Sequence, residues 1–197
     1  MRRKTRPAFA WAIAIALALG FIGVVEANAA QEKKTEGDTV SGIALPVSDK
    51  ELMGKVTAAL STSGHKPKNL KTVSLGELGR VYVATMDDGQ ERVFVRLVAR
   101  RVPCMDCHDV FFVYSFDEKM TFLDFIPLHI TKRYNKPWDR DDIDKIRNKF
   151  SGKSLFEPVS FDPVVDAVSS ATISSKLVFH SINQTGKAYQ ELVKLGL

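Results

Sequence analysis

Two cysteines are all this chain of 197 residues contains, and they stand three positions apart, at Cys104 and Cys107. With His108 directly behind them they are one ligand short of a closed four-coordinate zinc site. There is no G-x-G-x-x-G, no P-loop and no Ser–His–Asp order, so dinucleotide enzymes, P-loop enzymes and triad hydrolases have no support. The acidic run W-D-R-D-D-I-D (residues 138–144) lacks the alternating ligands and the glycine of a calcium loop. Acidic residues of this kind suit a helix start, where they face the positive end of the dipole. Internal repeats and long low-complexity tracts are absent too.

Long apolar runs are missing except for one, A-F-A-W-A-I-A-I-A-L-A-L-G-F-I-G-V-V at residues 8–25. Arg2, Arg3, Lys4 and Arg6 precede it, and A-N-A (residues 27–29) ends it with the small-x-small pattern of a signal-peptidase site. Residues 1–29 therefore read as a signal peptide or, if retained, an N-terminal membrane anchor. In both cases the remainder is exported, because the basic residues stay on the cytoplasmic side. The protein is then periplasmic or anchored to the outer face of the cytoplasmic membrane. Taking four positive charges and Glu26 from the net +5 leaves +2, too little for a nucleic-acid footprint.

Residues 30–48 are polar with scattered Gly and Pro and read as a linker. The domain is expected over 49–197, and its pattern is α+β. Asp49 is a cap candidate for a helix in which Leu52, Val56 and Leu60 recur every four residues before Gly64. R-V-Y-V-A-T-M (80–86) and E-R-V-F-V-R-L-V-A-R-R-V (91–102) alternate around a D-D-G-Q turn. D-V-F-F-V-Y-S-F (109–116) and T-F-L-D-F-I-P-L (121–128) form a second pair. Asp139 can cap a helix carrying Ile143, Ile146 and Phe150 on one face, with Gly152 as its stop. Ile173, Leu177, Ser181, Ala188 and Leu192 sketch a closing helix, interrupted near Gly186. Antiparallel hairpins packed with helices are the expected architecture.

D-A-V-S-S-A-T-I-S-S-K (166–176) crowds five hydroxyls, on Ser169, Ser170, Thr172, Ser174 and Ser175, into the start of that closing helix. The unpaired N–H groups of a helix start attract anions. Hydroxyls around them would add donors, Lys176 a charge, and Ala171 an approachable backbone. The competing reading is capping, for which Ser and Thr are favoured; one cap, however, needs one hydroxyl.

The first seven residues of this run resemble the D-x-x-[ST]-[GS]-A-T signature of the FMN-binding domain family, which includes the C and G subunits of sodium-translocating and Rnf-type oxidoreductases. In that family a flavin transferase joins the phosphate of FMN to the threonine of the motif. The resemblance places the bond at Thr172 and makes Asp166 the acidic position, with Ser169, Ser170 and Ala171 between them. Ser170 stands where many members have Gly, which tolerates positive φ better. F-S-G-K-S-L-F-E-P-V-S-F-D-P-V-V ahead of the motif (150–165) is similar to the family's usual approach, and the resemblance covers about residues 80–185. It implies an FMN-binding-domain-like fold and makes Ser174 and Ser175 candidate phosphate neighbours. Phe179 and His180 are candidates for the flavin ring, with core packing the simpler role for Phe179.

V-P-C-M-D-C-H-D-V (102–110) holds the remaining motif, C-x-x-C-H. It is the attachment pattern of c-type haem, with two thiols for the vinyl groups and His108 for the iron, and export supplies the compartment. A Cys104–Cys107 disulfide competes, since exported thiols oxidise. It departs from the family, whose members mostly lack this motif. His129 is the first candidate for a second axial ligand.

The function expected is an electron carrier with FMN at Thr172, with haem c possible, rather than a stand-alone enzyme. Its partners would be a flavin transferase and periplasmic or membrane redox proteins, with no nucleic acid. The alternative is a non-catalytic binding or assembly module with a Cys104–Cys107 disulfide and no redox cofactor.

Overall fold

The structure, a computed structural model, describes residues 39–61, 64, 66–87, 89, 91–103 and 108–197. The signal segment and both cysteines lie outside the described residues, so the expectations for cleavage, anchoring, haem attachment and the disulfide rest on sequence. Among the described residues no helix is long and apolar enough to cross a membrane.

The fold is mixed α and β with antiparallel sheets. A two-stranded ribbon, β1 (Thr39–Val40) and β2 (Ile43–Ala44), leads into helix α1 (Asp49–Ser61). Five strands follow as an antiparallel meander in chain order: β3 (Pro67–Ser74), β4 (Arg80–Met86), β5 (Arg92–Arg100), β6 (Val110–Asp117) and β7 (Phe122–His129). Then come α2 (Arg140–Phe150), α3 (Thr172–Asn183) and α4 (Thr185–Lys194).

Helices cover both faces of the sheet, and this explains its sequence. Leu52, Val56, Ala59 and Leu60 of α1 pack with Tyr82, Val93, Val95, Leu97 and Val113. On the opposite face Ile146, Phe150, Val178, Phe179 and Leu192 of the other helices pack with Val81, Phe94, Phe112, Tyr114 and Phe122. A strand buried on both sides reads as a near-continuous apolar run instead of a half-polar alternation, as β5 and β6 do. The charged exception is Arg96 in mid-β5, fully buried. Its Nε donates to the Leu78 carbonyl at 2.7 Å and its Nη1 to Tyr114 Oη at 2.9 Å and the Ser181 carbonyl at 2.8 Å. The last acceptor lies near the end of α3, where a cation suits the dipole, so this arginine pins α3 to the sheet.

Several boundaries differ from the sequence reading. Part of the expected linker is ordered structure: Thr39–Val40 pairs with Ile43–Ala44, and Val40 is buried in the same cluster as α1. Ser48, rather than Asp49, caps α1 by accepting the Glu51 N–H at 3.3 Å. β3 escaped notice because it is a mostly exposed edge strand with little apolar content. The closing helix is interrupted near Gly186 as expected, at Gln184 between α3 and α4, with Gly186 inside α4. Asp139 caps α2 as expected, in a reciprocal capping box with Asp142.

Candidate functional site

β7 ends at His129, and the chain then turns back on itself. Trp138 N–H donates to the Ile130 carbonyl at 3.1 Å, Thr131 bridges to Pro137, and Lys132 N–H donates to the Lys136 carbonyl at 2.6 Å. The tip of this loop, Arg133–Asn135, is a short 3-10 turn in which Tyr134 and Asn135 have φ of 61° and 59°. One further bond, from Arg133 N–H to the Ser170 carbonyl at 2.9 Å, ties the loop to the hydroxyl-rich motif. Between them lies a cavity of about 560 Å³, lined by the loop residues Thr131 to Asn135, by the motif residues Ser170 to Ser174, and by His108.

The motif side of the cavity is the start of α3. Its N-cap position is Ala171, and no side chain caps it. The capping explanation for the five hydroxyls is therefore overturned. A Ser, Thr, Asp or Asn cap is worth about 1 kcal/mol, and this helix does without it. Its first-turn N–H groups, which have no intrahelical acceptor, lie beside the cavity. Thr172 is exposed, and its hydroxyl makes no hydrogen bond to the protein among the described residues. Ser174 is half-buried and lines the cavity. Ser170 is exposed with φ of 60°, so the position where glycine was the alternative does adopt the left-handed backbone.

Other predicted residues have structural work instead. Ser175 is fully buried; its Oγ accepts the Val168 N–H and donates to the Ala171 carbonyl, both at 2.9 Å. That hydroxyl closes the motif turn from beneath and is not turned to the cavity. Asp166 is buried too, with both carboxylate oxygens 2.9 Å from Lys149 Nζ and one accepting the Asp162 N–H at 2.8 Å. Burial would raise the Asp166 pKa, but the Asp162 N–H and the Lys149 ammonium outweigh it and hold the carboxyl below its usual range. Ser169 is exposed on the turn, and Lys176 is exposed one helical turn beyond Thr172, on the same face. Phe179 is in the core between Phe150 and Phe161, and exposed His180 pairs with Gln184.

His108, the last residue of C-x-x-C-H, lines the same cavity, and its ring meets that of His129 edge to face with centroids 5.6 Å apart. The His129 pKa is lowered, first by partial burial and then by His108. Among the described residues no group of three or more His, Cys, Asp or Glu side chains comes together to hold a metal.

The loop wall, with Lys132, Arg133 and Tyr134, went unforeseen. Its signal in sequence is faint: a basic pair, an aromatic and an asparagine ahead of a proline. Lys132 is engaged by Asp139 and Asp142, whose hydrogen bonds raise its pKa. Arg133 has no acidic partner among the described residues and is exposed. The chain matches no family model, no curated protein and no solved structure.

Proposed function

We propose that this chain is an exported electron carrier holding FMN through a phosphoester to Thr172, loaded by a flavin transferase and exchanging electrons with periplasmic or membrane partners. The observation that carries the reading is the uncapped start of α3, with an exposed Thr172 hydroxyl beside a cavity large enough for a ligand. Small-molecule sites run to roughly 300–1,000 Å³, so a cavity of about 560 Å³ fits a mononucleotide. The donor set fits as well: the first-turn amides and the Ser174 hydroxyl suit a phosphate.

Each residue then has a defined part. Thr172 supplies the hydroxyl oxygen of the ester. The amides at the start of α3 offset the phosphate's negative charge. Ser175 and Asp166 act through the backbone, fixing the turn that presents Thr172. FMN when bound supplies one- and two-electron chemistry, and the protein's share is to hold, orient and tune it.

The test is mass spectrometry of the full chain exported alongside a flavin transferase. A gain of FMN less one water, kept after denaturation and lost in Thr172→Ala, is expected; an adduct that persists in Thr172→Ala overturns the assignment.

A second cofactor at C-x-x-C-H is favoured by one observation, the placing of His108 on this cavity beside His129. Haem c held by Cys104, Cys107 and His108, with His129 as second ligand, would put a one-electron centre next to the flavin. Expression with cytochrome c maturation proteins should give a denaturation-resistant Soret band that Cys104→Ser or Cys107→Ser weakens. If the cysteines instead alkylate only after reduction and no haem mass appears, they form the disulfide. A colourless protein after both maturations would leave the non-catalytic binding module.

A further inference from the structure

Tyr134 is 84% exposed, and a lone exposed aromatic needs no explanation by itself. Its backbone does. A non-glycine residue in the left-handed region is strained, and only Asn or Asp tolerates it readily. Asn135 meets that description, but Tyr134, with φ of 61°, does not. Such a conformation persists only where the surroundings impose it. Here the bonds across the neck of the loop, from Lys132 N–H to the Lys136 carbonyl and from Trp138 N–H to the Ile130 carbonyl, clamp its base. Lys132 Nζ anchors it to Asp139 and Asp142, and Arg133 N–H to the Ser170 carbonyl. The frame thus holds a large ring in the open, on the cavity wall, against the preference of its own backbone. The Arg133 guanidinium lies over that ring, 5.0 Å from its centroid.

Resting on the FMN reading above, we propose that Tyr134 is the stacking platform for the isoalloxazine ring and that Arg133 is the cation that raises its reduction potential. A flat ring joined to a phosphate at Thr172 must leave the phosphate subsite for another wall of the same cavity, and Tyr134 carries the larger of the two aromatic rings among the lining residues, the other being the His108 imidazole. An offset-stacked aromatic pair is attracted beyond what the area it buries contributes. Because the loop already fixes the Tyr134 backbone, little main-chain freedom is lost on stacking. Arg133 then places positive charge beside the ring, where reduction adds negative charge, and charge near the flavin nitrogens is a recognised means of tuning. Tyr134 and Arg133 are positioning residues for the ring; neither is needed for the ester bond.

The experiment compares the full chain with Tyr134→Ala, Tyr134→Phe and Arg133→Ala, each exported with a flavin transferase. Intact mass reports FMN attachment, flavin fluorescence reports stacking, and a redox titration reports the potential. All four proteins should carry FMN. Tyr134→Ala should raise the flavin fluorescence yield severalfold, because a stacked phenol quenches it by electron transfer. Tyr134→Phe should raise it while keeping the shifted absorption band of a stacked flavin, and Arg133→Ala should lower the potential. Equal fluorescence in the wild type and Tyr134→Ala, with FMN attached to both, overturns the platform and leaves the FMN reading intact. An unchanged potential in Arg133→Ala overturns the role of that cation. Absence of FMN from the wild type would instead remove the reading on which both rest.

Discussion

Lys149 of α2 holds both carboxylate oxygens of Asp166 at 2.9 Å, tying the helix to the loop that carries the Thr172 motif. Asp166 is buried, while Lys149 keeps part of its surface in water. An asparagine here keeps one acceptor oxygen but loses the charge and turns an NH2 donor toward the Lys149 ammonium. Asp166→Asn should therefore lower stability by about 2 kcal/mol, the scale of a hydrogen bond to a charged group. The folded pKa lies below its ordinary value, so this stability is fully present above about pH 4 and lost as pH falls through the folded pKa. Urea midpoints for the wild type and Asp166→Asn, compared at neutral and acid pH, should converge toward the acid end. A gap of constant size would show that the carboxylate charge is not what stabilises the turn.

Ser174 and Ser175 are neighbours with different tasks, and alanine should separate them. Ser175→Ala strands the buried Val168 N–H and should destabilise by about 1–3 kcal/mol. Ser174→Ala should leave thermal stability nearly unchanged but reduce flavin loading. Thermal melts and intact mass on the same two samples check both halves.

Gly79 has φ of 94°, and a Cβ there would stand 2.2 Å from the Leu97 carbonyl oxygen. Backbone cannot give way as a flexible side chain can. Gly79→Ala should therefore cost more than about 2 kcal/mol by combining a clash with the left-handed strain. It should also disturb Arg96, whose Nε donates to the adjacent Leu78 carbonyl. Denaturant midpoints decide it, and a melt equal to wild type would mean the strands do not approach this closely.

His129 should titrate below the ordinary histidine value of about 6.5, since burial and then the neighbouring His108 oppose its charge. A depressed folded pKa means that its contribution is present above about pH 6.5 and lost as pH falls through the lower folded value. The ring-proton shifts of His129 followed by NMR should give a midpoint that rises in His108→Ala without returning fully, because burial, the larger cause, remains. No change in that variant would show that the two rings do not interact.

Much of the fold was legible along the chain because local pattern and final environment agree there. R-V-Y-V-A-T-M became β4 residue for residue, and the Asp139 cap and Gly152 stop bound α2 as their chemistry requires. β3 was not legible, since an exposed edge strand carries no apolar alternation. The break of the closing helix near Gly186 was legible, and it falls at Gln184, where Arg96 holds the Ser181 carbonyl and the Thr185 hydroxyl bonds back to the Ile182 carbonyl.

The site divides along the same line. By itself the sequence determined that hydroxyls cluster at a helix start around Thr172, because a short run of residue types dictates a helix terminus. Only the tertiary structure decided what each hydroxyl does: Ser175 went to the core, Thr172 and Ser174 stayed beside the cavity, and none capped α3. It also brought Tyr134 and Arg133, and the histidine of C-x-x-C-H, to that cavity from far along the chain. The physical reason is that caps and periodicities act within a few residues, while a cavity is made by segments that meet only when a sheet is built between two helical layers.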